Sequence, residues 1–232
     1  MRIVLFGATG MIGRGVLLEC LADPDVSRVL AVGRRATDVQ HAKLEQIVHD
    51  DFADYSGIGE RLSGFDACFY CLGVSSLGMS EDSYRHVTYD FTLAAAEALL
   101  ADNQGLVFCY VSGAGADSSE QGRSMWARVR GKTENDLLKL PFAGGYIFRP
   151  AYVHAARGAV PQSRWLRALY FFMRPLYPVL RVLLPRQVTT GENFGRAMLS
   201  VARRGYASSI LESDDINAAA GAGFPSANKH SA

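Results

Sequence analysis

Lysine is scarce in this chain of 232 residues. It occurs only at Lys43, Lys132, Lys139 and Lys229, and arginine supplies the rest of the 24 cations. With 23 acidic residues against them the net charge is +1, so no bulk field draws the chain to nucleic acid or to an acidic membrane. Cysteine is too rare for a disulfide scaffold. Cys68 and Cys71 form a C-x-x-C, but a redox pair of that spacing opens a helix, and a zinc site needs a second ligand pair that Cys20 and Cys109 do not make. "DACFYCLG" reads as a buried strand in which Cys packs as a small apolar residue, and no metal site is expected. A nearly charge-free run of about 20 residues, which a spanning helix needs, is also lacking. The nearest approach, 164–185, carries Arg164, Arg167, Arg174 and Arg181 and is broken by Pro175 and Pro178. We expect a pair of short amphipathic helices there, covering a substrate site, pairing with another subunit, or touching a bilayer surface. The opening "MRIVLF", followed at once by glycines, does not read as a signal peptide. A cytoplasmic protein is expected.

What is present is an ordinary globular balance, 49% hydrophobic and 20% charged. Strand-length apolar runs alternate with helical stretches. "RIVLF" (2–6), "RVLAVG" (28–33), "LEQIVH" (44–49), "DACFYCLG" (66–73), "LVFCYVSG" (106–113) and "GGYIFRP" (144–150) read as strands, with a further short one at 208–211. Helices are expected at 11–21, 81–101, 124–140 and 191–204. For the second, we expect an apolar face of Phe91, Leu93, Ala94, Ala98 and Leu99. Continuous apolar runs imply strands buried on both faces, and the alternation implies a parallel sheet. The expectation is one α/β domain, 1–220, a doubly wound Rossmann sheet with a small helical C-terminal lobe. Residues 155–190 are expected to form a lid or substrate lobe, and 221–232 a disordered tail.

"FGATGMIGRG" places Gly7, Gly10 and Gly13 directly after the first strand. In that context each glycine serves a distinct physical need. Gly7 allows the tight turn, Gly10 the close approach of a pyrophosphate, and Gly13 close helix packing. Free amides around Thr9, Met11 and Ile12, at the positive end of the helix, suit an anion. The second strand lacks the acid that would bind the ribose 2′-OH of NAD and ends instead in Arg34 and Arg35, with Arg14 following the glycines. A guanidinium fork matches a 2′-phosphate, so NADP(H) is expected over NAD(H). Asp38 lies too far along to replace the missing acid. Asp51 with Phe52, or alternatively Asp50, is expected beside the adenine, and Leu72 and Gly73 near the adenosine.

These pieces resemble the short-chain dehydrogenase/reductase superfamily, and its atypical branch most: proteins like the Tat-interacting protein and NAD(P)-binding epimerase/dehydratases. The resembling segments are "GATGMIG", "DF" at 51–52, "CLG" at 71–73, "VSGAGAD" at 111–117, "RGKTE" at 130–134 and "RPAYV" at 149–153. The resemblance implies a seven-stranded Rossmann sheet and NADP binding by Gly7 to Arg14, Arg34, Arg35, Asp51, Phe52, Cys71, Leu72, Gly73, Arg130, Pro150 and Val153. It places the nicotinamide between the fifth-strand end and Arg149–Pro150. It also implies a catalytic set of a Tyr, a Lys four residues on, and a Ser after strand five. Here Ser112, or Gly113 one residue later, holds the Ser position; Trp126 holds the Tyr position and Arg130 the Lys position.

An indole N–H only donates and does not ionise usefully, and a guanidinium keeps its proton, so neither performs the Tyr's work. Proton transfer contributes about 3–5 kcal/mol of barrier lowering. Substitute acids are Tyr152, His154 and Tyr110. Tyr170 and Tyr177 each precede an Arg by four residues but lie in the Pro-broken segment. Three functions follow: an NADP(H)-dependent oxidoreductase with non-standard proton delivery, acting on a small, hydrophobic substrate; a regulatory or interaction protein that binds NADPH without turnover; or a sugar-nucleotide epimerase/dehydratase. Homodimer pairing through 81–101 and 124–140 is a further expectation.

Overall fold

The computed structural model describes residues 1–154 and 188–221. The chain runs β1 (Arg2–Phe6), α1 (Met11–Ala22), β2 (Arg28–Gly33), β3 (Leu44–Val48), a 3-10 turn (Ser56–Leu62), β4 (Ala67–Tyr70), α2 (Glu81–Arg85), a π-helical turn (His86–Asp90), α3 (Phe91–Asp102), β5 (Val107–Val111) and α4 (Met125–Leu137). It continues through β6 (Gly144–Arg149), β7 (Tyr152–His154), β8 (Val188–Thr190), α5 (Gly191–Arg204), β9 (Ile210–Glu212) and α6 (Ser213–Gly221).

Seven strands form one sheet in the order β3-β2-β1-β4-β5-β6-β9, every neighbouring pair parallel. This is the doubly wound architecture the alternation implies. The order reverses between β1 and β4, which opens a crevice beyond their carboxyl ends. Alternate residues of each strand feed two cores. Ile3, Leu5, Phe69 and Phe148 meet Val16, Phe194 and Met198 on one face. Val4, Phe6, Tyr70, Phe108 and Tyr110 meet Ala95, Ala96 and Leu99 on the other. That is why the strand sequences are continuously apolar.

Residues 188–221 return to this sheet rather than forming a detached unit: β9 is its outer strand, and α5 packs on α1 and α6. Glycine sets the α1–α5 distance. A Cβ on Gly15 would fall 2.7 Å from the Gly191 carbonyl, and one on Gly195 would fall 2.8 Å from the Glu19 Cβ. Lys43 caps the end of α1, its Nζ donating to the carbonyls of Leu21 (3.2 Å) and Asp23 (2.7 Å).

Two expectations change. The helix expected at 81–101 is interrupted by the π turn, and its buried side chains are Tyr84, Thr88, Thr92, Ala95, Ala96 and Leu99. Phe91, Leu93, Ala94 and Ala98 flank the core half-buried. The α3 segment is apolar around most of its circumference, so periodicity gives little contrast, and it is the small Ala95 and Ala96 that let the helix approach the sheet. The short parallel pair β7–β8, the 3-10 turn and α6 add to the expected elements. The expected lid, apart from 188–190, and the expected tail, apart from Gly221, lie outside the described residues.

Gly15→Ala inserts a methyl where only backbone fits, and overpacking of this kind costs about 1–3 kcal/mol. We expect a lower midpoint in thermal unfolding; an unchanged midpoint would mean that the two helices do not pack at this distance.

Candidate functional site

The crevice is built from strand ends. At the end of β1, Gly7 turns the chain at φ +77°, and a Cβ there would fall 2.7 Å from the Cys71 carbonyl at the end of β4. A Cβ on Gly13 would fall 2.1 Å from the Gly7 oxygen. So Gly13 brings the first turn of α1 onto the loop itself, a closer contact than helix-to-sheet packing. Gly10 caps α1 with no side-chain bond, and the first turn carries no acid. The amides of Met11, Ile12 and Gly13 therefore keep their donors and their positive dipole end for a ligand.

At the end of β2, Ala8, Thr9, Gly33, Arg35, Ala36, Thr37 and Gln46 line a small pocket, while Arg34 is exposed beside it. Arg14 is already engaged. Its guanidinium holds Asp38 in a two-point pair, Nη1 to Oδ1 at 2.5 Å and Nη2 to Oδ2 at 3.2 Å. The hydrogen bonds from Arg14 hold the Asp38 carboxyl below its usual range, and Asp38 is 74% exposed. Distance along the chain is a poor guide here, because the loop after β2 folds Asp38 back onto the glycine helix.

Asp51 is exposed, its Oδ1 accepting from the Ala53 amide at 3.0 Å. The Phe52 ring is 1% exposed, packed among His49, Tyr55 and Phe91, so it is a core residue with no face to offer an adenine. At the end of β4, Cys71 and Leu72 are half-buried and Gly73 is exposed. All four cysteines are free, and burial pushes every thiol up, which keeps them as packing groups. Among the described residues no metal-binding cluster occurs.

At the end of β5 the structure departs most from expectation. Ser112 is buried and donates its hydroxyl proton to Oε1 of Glu134. Glu134 is fully buried and paired with Arg149, whose Nε donates to both carboxylate oxygens at 3.1 Å and whose Nη2 donates to Oε2 as well. Arg149 also donates to Ser118 Oγ at 2.7 Å. The Trp126 ring packs against Gly115, where a Cβ would lie 3.5 Å away. A Cβ on Gly131 would lie 1.8 Å from the Asp117 carbonyl, so "SGAGAD" and "RGKTE" are two halves of one contact that pins the loop to α4.

Arg130 reaches across the strand ends: Nε donates to Tyr84 Oη at 2.9 Å and Nη1 to the Val111 carbonyl at 3.3 Å. Lys132 and Lys139 both hold Asp136 instead, so no described lysine serves the crevice. Pro150 is buried, its carbonyl accepting from Ala114 N at 3.0 Å, and Val153 is a core residue. Among the candidate acids, Tyr110 is buried and burial pushes its phenol up to about 12. Tyr152 and His154 are half-buried on β7. Tyr170 and Tyr177 lie outside the described residues.

No protein-family model matches the chain. It is 26% identical to Protein HTATIP2 of Rattus norvegicus over 202 residues, 82% of each chain. It is 30% identical to the mitochondrial Protein FMP52 of Eremothecium gossypii over 160 residues, 68% of each chain. Its fold is similar to that of an oxidoreductase of the short-chain dehydrogenase/reductase family from Burkholderia thailandensis, at TM-score 0.71 and 16% identity over 94% of this chain and 92% of that one.

The chain belongs to the atypical short-chain dehydrogenase/reductase superfamily.

Membership corrects one expectation. The FMP52 relatives from several fungi are named mitochondrial, which overturns the cytoplasmic assignment. Of the residues expected from the resemblance, the fold brings Gly7 to Arg14, Arg35, Cys71 to Gly73 and Arg130 to one edge of the sheet. It turns Ser112 away into the Glu134 pair and buries Phe52. Two residues that motifs do not reveal contact the expected site residues: Asp38, bound to Arg14, and Tyr84, the partner of Arg130. Their signal is contact between elements far apart in sequence. Glu134 stands within "RGKTE" with no role assigned from sequence; four residues after Arg130, it shares that residue's helix face.

Glu134→Ala leaves the Arg149 charge only the longer Glu212 pair at 3.6 Å and removes the Ser112 acceptor, a loss of about 3 kcal/mol, the low end for a broken buried pair. Ser112→Ala leaves the pair intact and costs about 1 kcal/mol. Urea unfolding reads both; a Glu134→Ala protein as stable as the parent would contradict the pairing.

Proposed function

We propose that this chain binds NADP(H) along the crevice and is an oxidoreductase whose acceptors do not require an enzymic acid. The observation that carries this reading is the turn at Gly7 and Gly13: side chains are excluded and the α1 amides are left without acidic partners. Such a cradle fits a diphosphate. Thr9 to Gly13 hold the pyrophosphate. Arg35, with Arg14, faces the 2′-phosphate at the end of β2, where the Asp38 carboxylate is held by Arg14. Gly73 leaves room beside β4, and Arg130 offers donors to the ribose next to the nicotinamide. The reduced dinucleotide, when bound, supplies a hydride.

The protein side supplies little to complete a carbonyl reduction. Trp126 has no ionisable proton, Arg130 keeps its own, and the Ser112 hydroxyl is committed to Glu134. Among the described residues, these three side chains give an alkoxide forming there no positioned acid. A quinone is different, because its reduced oxyanion is delocalised and takes a proton from water. Electron-poor acceptors of that kind are the substrate class the side chains permit. A second reading, an NADPH-holding protein without turnover, draws on the same commitment of Ser112.

Absorbance at 340 nm with NADPH and a panel of quinones, aldehydes and ketones separates these readings. Oxidation with quinones that exceeds the aldehyde rate at least tenfold supports the first, binding without oxidation supports the second, and fast aldehyde reduction contradicts both.

Cofactor choice has its own test. Asp38 neutralises Arg14 and places a carboxylate where a phosphate approaches. Asp38→Asn should tighten NADPH binding about 3- to 10-fold, on the order of 1 kcal/mol, with NADH little changed. Equal changes for both dinucleotides would remove Arg14 from 2′-phosphate recognition.

A further inference from the structure

Arg130 is a half-buried cation without an ion-pair partner among the described residues. Its two protein acceptors, the Tyr84 phenol and the Val111 carbonyl, are both neutral. Taking a charge out of water is costly unless it is paired or hydrogen-bonded; here two neutral acceptors hold the guanidinium, the Glu134 carboxylate acts on it only at longer range, and its remaining N–H groups are left for a ligand. The first partner is telling. Tyr84 is 1% exposed, and among the described residues the one hydrogen bond of its hydroxyl is the one it accepts from Arg130. Phenylalanine would fill that volume without a hydroxyl to satisfy.

We infer that Tyr84 is a positioning residue, holding the Arg130 guanidinium so that its free N–H groups face the ribose beside the nicotinamide. This rests on the cofactor reading above. The geometry is that of a fork fixed at two corners. Nε is held by α2 and Nη1 by the end of β5, two separate elements. A guanidinium has five N–H groups in a rigid plane, so two anchors on different elements fix that plane and leave the remaining donors at the Nη2 end. Nη2 lies 3.8 Å from where a Cβ on Gly73 would stand, at the end of β4. The same strand end, two residues earlier at Cys71, touches Gly7. The free end of the fork thus continues the line that begins at the glycine cradle.

Lysine, the usual occupant of this helix position in the superfamily, is a point donor on a flexible stem. It needs no second anchor. Arginine carries a long rotatable stem and a directional head, so replacing Lys by Arg creates a requirement for a partner that sets its orientation. Tyr84, placed on α2 just before the π-helical interruption, meets that requirement.

The experiment compares two probes on the full chain: NADPH, and 2′,5′-ADP, which carries the adenine half alone. Tyr84→Phe removes one oxygen and should weaken NADPH about tenfold, the size of one misplaced charge-assisted hydrogen bond, while 2′,5′-ADP stays within about twofold. Arg130→Gln, read the same way, should reproduce that split, because a neutral amide offers no charged fork. Circular dichroism checks folding, and Arg130→Met replaces any variant that fails to fold. Equal weakening of both probes would assign Tyr84 a structural role only and overturn the inference, as would no change in either. If the parent chain binds neither probe, the cofactor reading itself fails, and the inference fails with it.

Discussion

The structure depends on one close approach: the α carbon of Gly13 against the carbonyl oxygen of Gly7. No side chain fits between them, and Gly7 itself holds a positive φ that side-chain-bearing residues rarely adopt. That contact seats the first turn of α1 at the sheet edge and aims its unpaired amides into the crevice at the switch point between β1 and β4. Everything the site can do with a nucleotide follows from this placement. The glycines at 15, 191 and 195 extend the same economy of space, seating α5 on α1 so that the late part of the chain stabilises the early loop.

The remainder of the site shows charge being redirected. Lys43 caps a helix, and Lys132 and Lys139 share Asp136, so among the described residues the cation at the crevice is Arg130 rather than a lysine. Ser112 and Arg149 converge on Glu134, which makes a structural network from residues that sit where hydride chemistry is expected. Such a network rigidifies the ends of β5 and β6, and it withholds the hydroxyl from a substrate. On the proposed reading, binding and proton delivery are separable here because they depend on different strand ends.

Much of this is legible in the sequence, for identifiable reasons. The glycine turn and the parallel sheet announce themselves through local patterns: a fixed spacing after a strand, and apolar runs without alternation. The Trp126 and Arg130 substitutions are legible because i and i+4 share a helix face. What stays hidden involves partners distant in the chain. Asp38 reaches Arg14 across 24 residues and Tyr84 reaches Arg130 across 46, and no periodicity encodes either contact. Motif position assigns Ser112 to chemistry, but its role is set by a buried carboxylate 22 residues away. Its neighbour Asp51 suggests an adenine contact for Phe52, whereas strand-end geometry turns that ring inward among aromatics.

The proposed nucleotide recognition stands on bare main-chain amides at the start of α1 gripping a diphosphate. The direct measurement is nuclear magnetic resonance of the ¹⁵N-labelled chain during titration with NADPH. Saturable downfield shifts of the Met11, Ile12 and Gly13 amide protons are predicted, as expected for donors that gain a charged acceptor. Saturable binding that leaves these three resonances in place, with shifts confined to another surface, would contradict it.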